Sequence, residues 1–138
     1  MSDLVRLSFS IEEPLYKQLE RLVEESGYGN RSEFVRDMIR ERLVTREWEE
    51  DREVVGTLTL IYDHHTRTLS HKLTKLQHDH HDAILASTHV HLTHDRCLEV
   101  ALMRGKGKEL QQLADLLRQQ KGVLHAALSL SSTGEDLG

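Results

Sequence analysis

The opening residues alternate in hydropathy: Val5, Leu7, Phe9 and Ile11 fall on one side, Arg6, Ser8 and Ser10 on the other. This is the period-two signature of a strand with one buried face. From there to Trp48 the chain is helical in pattern, so the strand has no partner within its own segment. Ser10 stands three residues before Glu13 with Pro14 in the first turn, the arrangement of a capped helix start. Leu15, Leu19, Leu22 and Val23 give that helix a stripe. Gly27, Tyr28 and Gly29 end it, and Asn30 with Glu33 repeats the cap before Phe34, Val35, Met38, Ile39 and Leu43 share one face of a second helix. A strand-helix-helix unit of this size has too small a core to stand alone. The pattern predicts a dimer whose two strands pair antiparallel, with Leu7 and Phe9 on the helices and Arg6, Ser8 and Ser10 outward, as in ribbons that read a major groove.

A charged stretch, Arg46 to Arg52, marks the boundary, so the expected domains are residues 1–50 and 51–138. The second region reads as strand (Val54 to Tyr62), helix (Leu69 to His81), strand (Ile84 to Leu92), strand (Cys97 to Met103), helix (Lys106 to Gln120) and strand (Val123 to Leu130). Leu110, Leu113, Ala114 and Leu117 form the inner stripe of the last helix. A βαββαβ order predicts an antiparallel sheet with helices on one face, the ferredoxin-like layout, and an α+β chain overall.

Lys and Arg number 18 against 23 Asp and Glu, a net charge of −5, so no whole-chain basic field draws nucleic acid and any DNA contact must be local. No apolar run approaches the roughly 20 residues of a membrane span, and the first residues lack the order of a signal peptide. The expectation is a cytoplasmic protein without a membrane partner.

Nine of the ten histidines lie between His64 and His94, beside the single cysteine, Cys97. His89 and His91 are two apart in a predicted strand and project from one face. A three-residue loop of His94, Asp95 and Arg96 would pair Thr93 with Cys97, His91 with Glu99 and His89 with Ala101, placing both imidazoles and the thiol on that face. Glu99 could then accept the other N–H of a ligating imidazole. Two imidazoles and one thiolate leave a four-coordinate site one donor short, and the histidines of Gln77 to His81 are the nearest in sequence. Such donors suit late divalent metals, with copper favoured by affinity alone. A planar geometry would favour nickel or copper and a tetrahedral one zinc. His64, His65, His71, His80, His94 and His125 read as solvated groups or outer partners of a site, and His80 with His81 could hold a weaker ion.

Strand, capped helix, the turn Gly27-Tyr28-Gly29-Asn30-Arg31-Ser32-Glu33 and second helix resemble a ribbon-helix-helix DNA-binding domain. Together with Gln77-His78-Asp79-His80-His81-Asp82, His89-Val90-His91 and His94 through Glu99, the whole chain is similar to the nickel-responsive transcriptional regulators, often called NikR. The resemblance implies an ACT-type version of the second domain, a homotetramer built as a dimer of dimers, and Ni(2+) as effector. It implies a metal set of His89, His91 and Cys97 from one subunit and His78 from another, and base contacts by Arg6, Ser8 and Ser10. Serines stand where threonines are expected at the last two, which removes a methyl that could meet thymine. Glu33 and Asp37 match positions that help hold a second cation, against a plainer reading as a solvated helix face. The expected function is a repressor of nickel-uptake genes, binding a double-stranded operator when loaded with metal. The alternatives are a sensor of copper, cobalt or zinc and, further off, a zinc enzyme that would use the two histidines and cysteine to activate water; an enzyme is not expected.

Overall fold

The computed structural model describes residues 3–138; Met1 and Ser2, the start of the first region, lie outside the described residues. Helices α1 (Glu13–Ser26) and α2 (Arg31–Glu49) are followed by β1 (Glu53–Asp63), α3 (Leu69–Asp79), β2 (Ile84–His91), β3 (Arg96–Lys106), α4 (Gly107–Arg118) and β4 (Val123–Leu130). The chain divides into two units after Arg40, so α2 begins in the first and ends in the second.

The first unit has the first predicted helix and the start of the second, and no fully buried side chain among its described residues. α1 buries no residue, and Leu7 and Phe9 are 80% and 69% exposed. Residues 3–12 form no strand in the single chain. Strand hydrogen bonds need a second strand, and the one anticipated for this segment belongs to another copy. The caps divide. Asn30 Oδ1 accepts the Glu33 backbone N–H at 2.9 Å, as expected. The Ser10 cap is not formed: α1 starts at Glu13, its capping position is Glu12, and no side chain caps it. Ser10 lies too far upstream, and Pro14, with no N–H to satisfy, opens the helix. At the other end Gly27 takes a left-handed conformation, φ 76°, that closes α1.

In the second unit the strands run in the order β2-β3-β1-β4, all neighbours antiparallel. That is the ferredoxin-like order expected of the βαββαβ pattern. Alternation assigns the faces. Val54, Leu58, Leu60 and Tyr62 of β1, with Cys97, Ala101 and Met103 of β3, point into a core closed by Leu69 and Leu73 of α3 and Leu110, Leu113, Ala114 and Leu117 of α4. The intervening residues form the other face, where Ile61, Leu98 and Val100 are half-buried and Val90 and Leu102 exposed. Among the described residues, no helix of the second unit covers them.

Trp48 completes one end of the core. Its indole N–H donates to the Ser131 carbonyl at 2.9 Å, and its ring fills space left by Gly56 and Gly107. At the opposite end Gly122 turns the chain into β4 at φ 99°. A Cβ there would stand 2.5 Å from Thr66 Oγ1 and 2.8 Å from Leu69 Cδ2. Gly122→Ala is therefore expected to cost roughly 1–3 kcal/mol, from a strained φ and an overpacked contact together. Urea unfolding monitored at Trp48 reads this, and an unchanged midpoint would refute it.

Candidate metal centre

The β2–β3 hairpin decides which donors meet. His91 pairs with Cys97, His89 with Glu99 and Ser87 with Ala101. The expected register, Thr93 with Cys97, is therefore wrong by two residues on β2. The loop starts earlier than expected because the Leu92 and Thr93 N–H groups both turn onto the Arg96 carbonyl, at 2.9 and 3.2 Å. The Thr93 hydroxyl in turn accepts the Asp95 and Arg96 N–H groups, at 3.2 and 3.1 Å. A slip of two conserves parity, so His89, His91, Cys97 and Glu99 still share a face. It is the helix-covered face, because Cys97 also pairs with Tyr62 and Glu99 with Leu60.

His91 Nδ1 lies 3.3 Å from the buried Cys97 Sγ. The third group at that sulfur is His64, its Nδ1 3.4 Å away. Among the described residues, His64, His91 and Cys97 present donor atoms all within 4.8 Å of one another. The sequence pattern alone makes His64 a bystander. The signal for it is topological: it follows β1 by one residue, and β1 runs beside β3 with Tyr62 opposite Cys97. The His64 N–H donates to the Asp95 carbonyl at 2.8 Å, which ties the segment after β1 to the hairpin tip.

His89 stands one ring further out, 5.2 Å from His91 between centroids. The Tyr62 hydroxyl lies 3.4 and 3.5 Å from its two nitrogens, near the long limit of a hydrogen bond. His78 is not part of the cluster within its own chain. It sits on α3 beside Gln77 and lines an open groove with His81, Ser87 and Glu99. Glu99 is not engaged as expected: its Oε2 accepts the Gln77 amide at 2.7 Å, a buried bond linking the helix of His78 to the strand of Cys97.

Arg6, Ser8 and Ser10 are exposed. Asp37 accepts the Tyr28 hydroxyl at 2.6 Å, and Glu33 lies 4.0 Å from Arg36. Both carboxylates are thus engaged within the helical unit.

Burial acts on the phenol beside the sulfur. Removal from water, with the charges of Glu99 and Cys97 adding to it, pushes the Tyr62 hydroxyl up to about 12 from an ordinary 10.0. The neutral hydroxyl is the form the fold favours. Its contribution to stability is complete below pH 10 and is lost as pH rises from there through about 12. Spectrophotometric titration of the metal-free protein should show a phenol step near 12 that Tyr62→Phe removes; a Tyr62 step at 10 would contradict the burial argument.

Thiolate and imidazole donors without a carboxylate fit a late, borderline divalent ion rather than magnesium or calcium. Comparison with known proteins agrees with that chemistry. Residues 55–131 match the family described as the NikR C-terminal nickel-binding domain, and residues 5–46 match the ribbon-helix-helix proteins of the copG family. A protein of Geobacter sulfurreducens, named by inference as a nickel-responsive regulator, is 50% identical over 99% of both chains. One from Syntrophus aciditrophicus, named in the same way, is 45% identical over 98% of both. Among solved structures, an uncharacterized protein of Thermotoga maritima superposes on 57% of this chain and 98% of its own, with a TM-score of 0.52 at 14% identity, a likeness of fold alone. By the extent of these matches, the chain belongs to the family of nickel-responsive, DNA-binding regulators.

Proposed function

We propose that this protein is a homotetrameric repressor, a dimer of ribbon dimers, that binds its operator when Ni(II) is held by His89, His91 and Cys97 and by His78 of the partner subunit. The observation that carries the reading is the row His91–Cys97 at 3.3 Å, with His89 beside it on the same face. That row offers three donors of the right softness and needs one more. That His78 lies on an open groove, apart from its own chain's cluster, supports a role for it toward a second copy. Bound there, Ni(II) would supply a bond between subunits. The sheet face left bare around Val90, Leu98, Val100 and Leu102 supports association of the second units, since an apolar face of this kind is normally covered.

The ribbon supports the DNA half of the reading. Leu7 and Phe9 gain an interior only when two copies meet, and that pairing would turn Arg6, Ser8 and Ser10 toward base edges. An operator near nickel-uptake genes gives the switch its sense, since loaded repressor then stops further uptake. Such a protein works in the cytoplasm, where the chromosome is. The donor set alone would also serve a sensor of copper, cobalt or zinc. A second reading of the ligands is favoured by geometry: His64, with its Nδ1 3.4 Å from the Cys97 sulfur, could take the fourth position within one chain.

Titration of reduced protein with Ni(II), read by visible absorption, separates these readings. A thiolate-to-nickel band saturating at one ion per chain is expected in wild type and absent in Cys97→Ser. His78→Ala should lose at least about tenfold in metal affinity, or 1.4 kcal/mol, with the fold intact. Unchanged affinity in His78→Ala together with loss in His64→Ala would establish the single-chain site instead. With a duplex selected from a random pool, Arg6→Ala should cost about 1–3 kcal/mol in operator affinity and relax base preference. Equal affinity would remove Arg6 from the interface.

A further inference from the structure

The last turn of α2 is gripped by the segment that follows β4. Trp48 sends its indole N–H to the Ser131 carbonyl at 2.9 Å, and its ring lies against Gly56 and Gly107. Beside it the buried Glu47 carboxylate accepts the Ser132 hydroxyl at 3.3 Å. Arg52, just past the helix, reaches Asp136 at 3.3 Å. We propose that residues 131–136 are a strap that fixes the end of α2 to the second unit, and that Glu47, Trp48 and Ser132 are thereby positioning residues for DNA binding; the link to DNA rests on the function proposed above, the strap itself does not.

Local chemistry places the strap. Ser131 continues the sheet beyond Leu130, its N–H donating to the Val55 carbonyl at 2.9 Å. Ser132 then serves two segments, because the oxygen that donates to Glu47 also accepts the Gly134 N–H at 3.0 Å, closing a turn in which Gly134 takes φ 85°. A carboxylate removed from water needs a donor, so the Ser132 hydroxyl is what lets Glu47 stay inside. The backbone at the same joint makes a rare choice. Asp51 stands at φ 56°, a left-handed conformation in which glycine usually ends a helix. Its carboxylate accepts the Lys108 N–H at 2.9 Å in the first turn of α4, where Lys106 in the capping position supplies no side-chain acceptor. The Arg52 carbonyl accepts the Gly107 N–H at 3.1 Å. The end of α2 is thus tied to α4 and to the strap together.

This joint matters because α2 starts in the first unit and ends in the second. A ribbon on a slack joint samples the same orientations whatever the second units do, so an ion held there has nothing to bias. With the joint fixed, a preference set in the second units becomes a preference for one placement of Arg6, Ser8 and Ser10. The strap therefore leaves metal affinity alone and acts on the ratio of DNA affinities with and without metal.

The test compares the whole protein with a chain ending at Ser131, which keeps the Trp48 acceptor and loses Ser132 and Asp136. Hydrogen exchange over residues 41–49 of the metal-free proteins should be at least tenfold faster in the shortened chain. Its thiolate band on Ni(II) titration should match wild type within twofold in affinity. For a duplex selected from a random pool by nickel-loaded wild type, the ratio of affinities with and without Ni(II) should fall at least fivefold. Ser132→Ala should lower that ratio at least twofold, and Ser132→Thr, which keeps the hydroxyl, should restore it. Gly122→Ala, destabilising but far from the joint, should leave the ratio at the wild-type value. Unchanged exchange over residues 41–49 overturns the strap. Faster exchange with an unchanged ratio, an equal fall in Gly122→Ala, or loss of the thiolate band on shortening overturns the link to DNA. Equal DNA affinities with and without Ni(II) in wild type overturn the function proposed above and that link with it, and the exchange result alone then decides the strap.

Discussion

The register across three neighbouring strands is the constraint on which the chemistry depends. His91 opposes Cys97 and Cys97 opposes Tyr62, so one row across the sheet carries an imidazole, a thiol and a phenol, all on the face that the helices close. A slip of one residue between β2 and β3 would send His89 and His91 to the open face and leave Cys97 alone in the core. The turn guards against that slip, because the Thr93 hydroxyl and the Arg96 carbonyl satisfy four backbone N–H groups between them. The same hairpin tip holds the segment after β1 through His64 and Asp95, so one short loop positions donors from two parts of the chain.

The two units reach stability by different means. From Glu41 onward the chain has its own interior, built on β1, β3, α3 and α4 and ended by Trp48. The residues before that have helices and caps but nothing buried in α1, and the alternating apolar residues of the ribbon segment lie open to solvent. Apolar surface of this kind contributes to folding only when another copy covers it, so folding and dimer formation are one event for the ribbon. This makes the ribbon a suitable output element. Its strand is not formed in the single chain, so an assembly that paired it would also control it.

Periodicity made most of the fold legible, and the reasons are visible residue by residue. Leu110, Leu113, Ala114 and Leu117 are all buried as one stripe on α4, since helical spacing alone decides which side chains meet the sheet. Strand limits in the second unit came within a few residues for a similar reason: alternation stops where the turns begin. The ribbon strand was legible as a pattern but is not formed in one chain, because its partner is not encoded beside it. Local side-chain chemistry was less readable. The Ser10 cap failed since sequence spacing does not say where a helix takes its first turn, and the hairpin came out two residues off because a Thr93 hydroxyl chose the loop. Parity survived that error, and with it the shared face of His89, His91 and Cys97. His64 was missed for a deeper reason. Its nearness to Cys97 follows from the pairing of β1 with β3, a contact between segments 33 residues apart that no local pattern announces.

A sensor needs its effector to prefer one arrangement, and geometry bears on how that preference arises here. An ion held wholly by His64, His91 and Cys97 would stabilise one chain and leave the relation between subunits unchanged, since both arrangements would bind it equally. A donor from a second copy alters the balance, because only the assembly that brings it within bonding distance gains the additional bond. Each 1.4 kcal/mol of that preference is about a factor of ten in population, so a single metal–imidazole bond made in one arrangement and absent in the other is enough for a usable switch. Within one chain the buried Gln77–Glu99 bond is the contact nearest to both His78 and Cys97. Gln77 adjoins His78 on α3 while Glu99 lies two residues from Cys97 on β3, so this bond joins the helix of His78 to the strand that carries the thiol. Were His64 to give way to a donor from a second copy, the preference for assembly would be the difference between those two bonds.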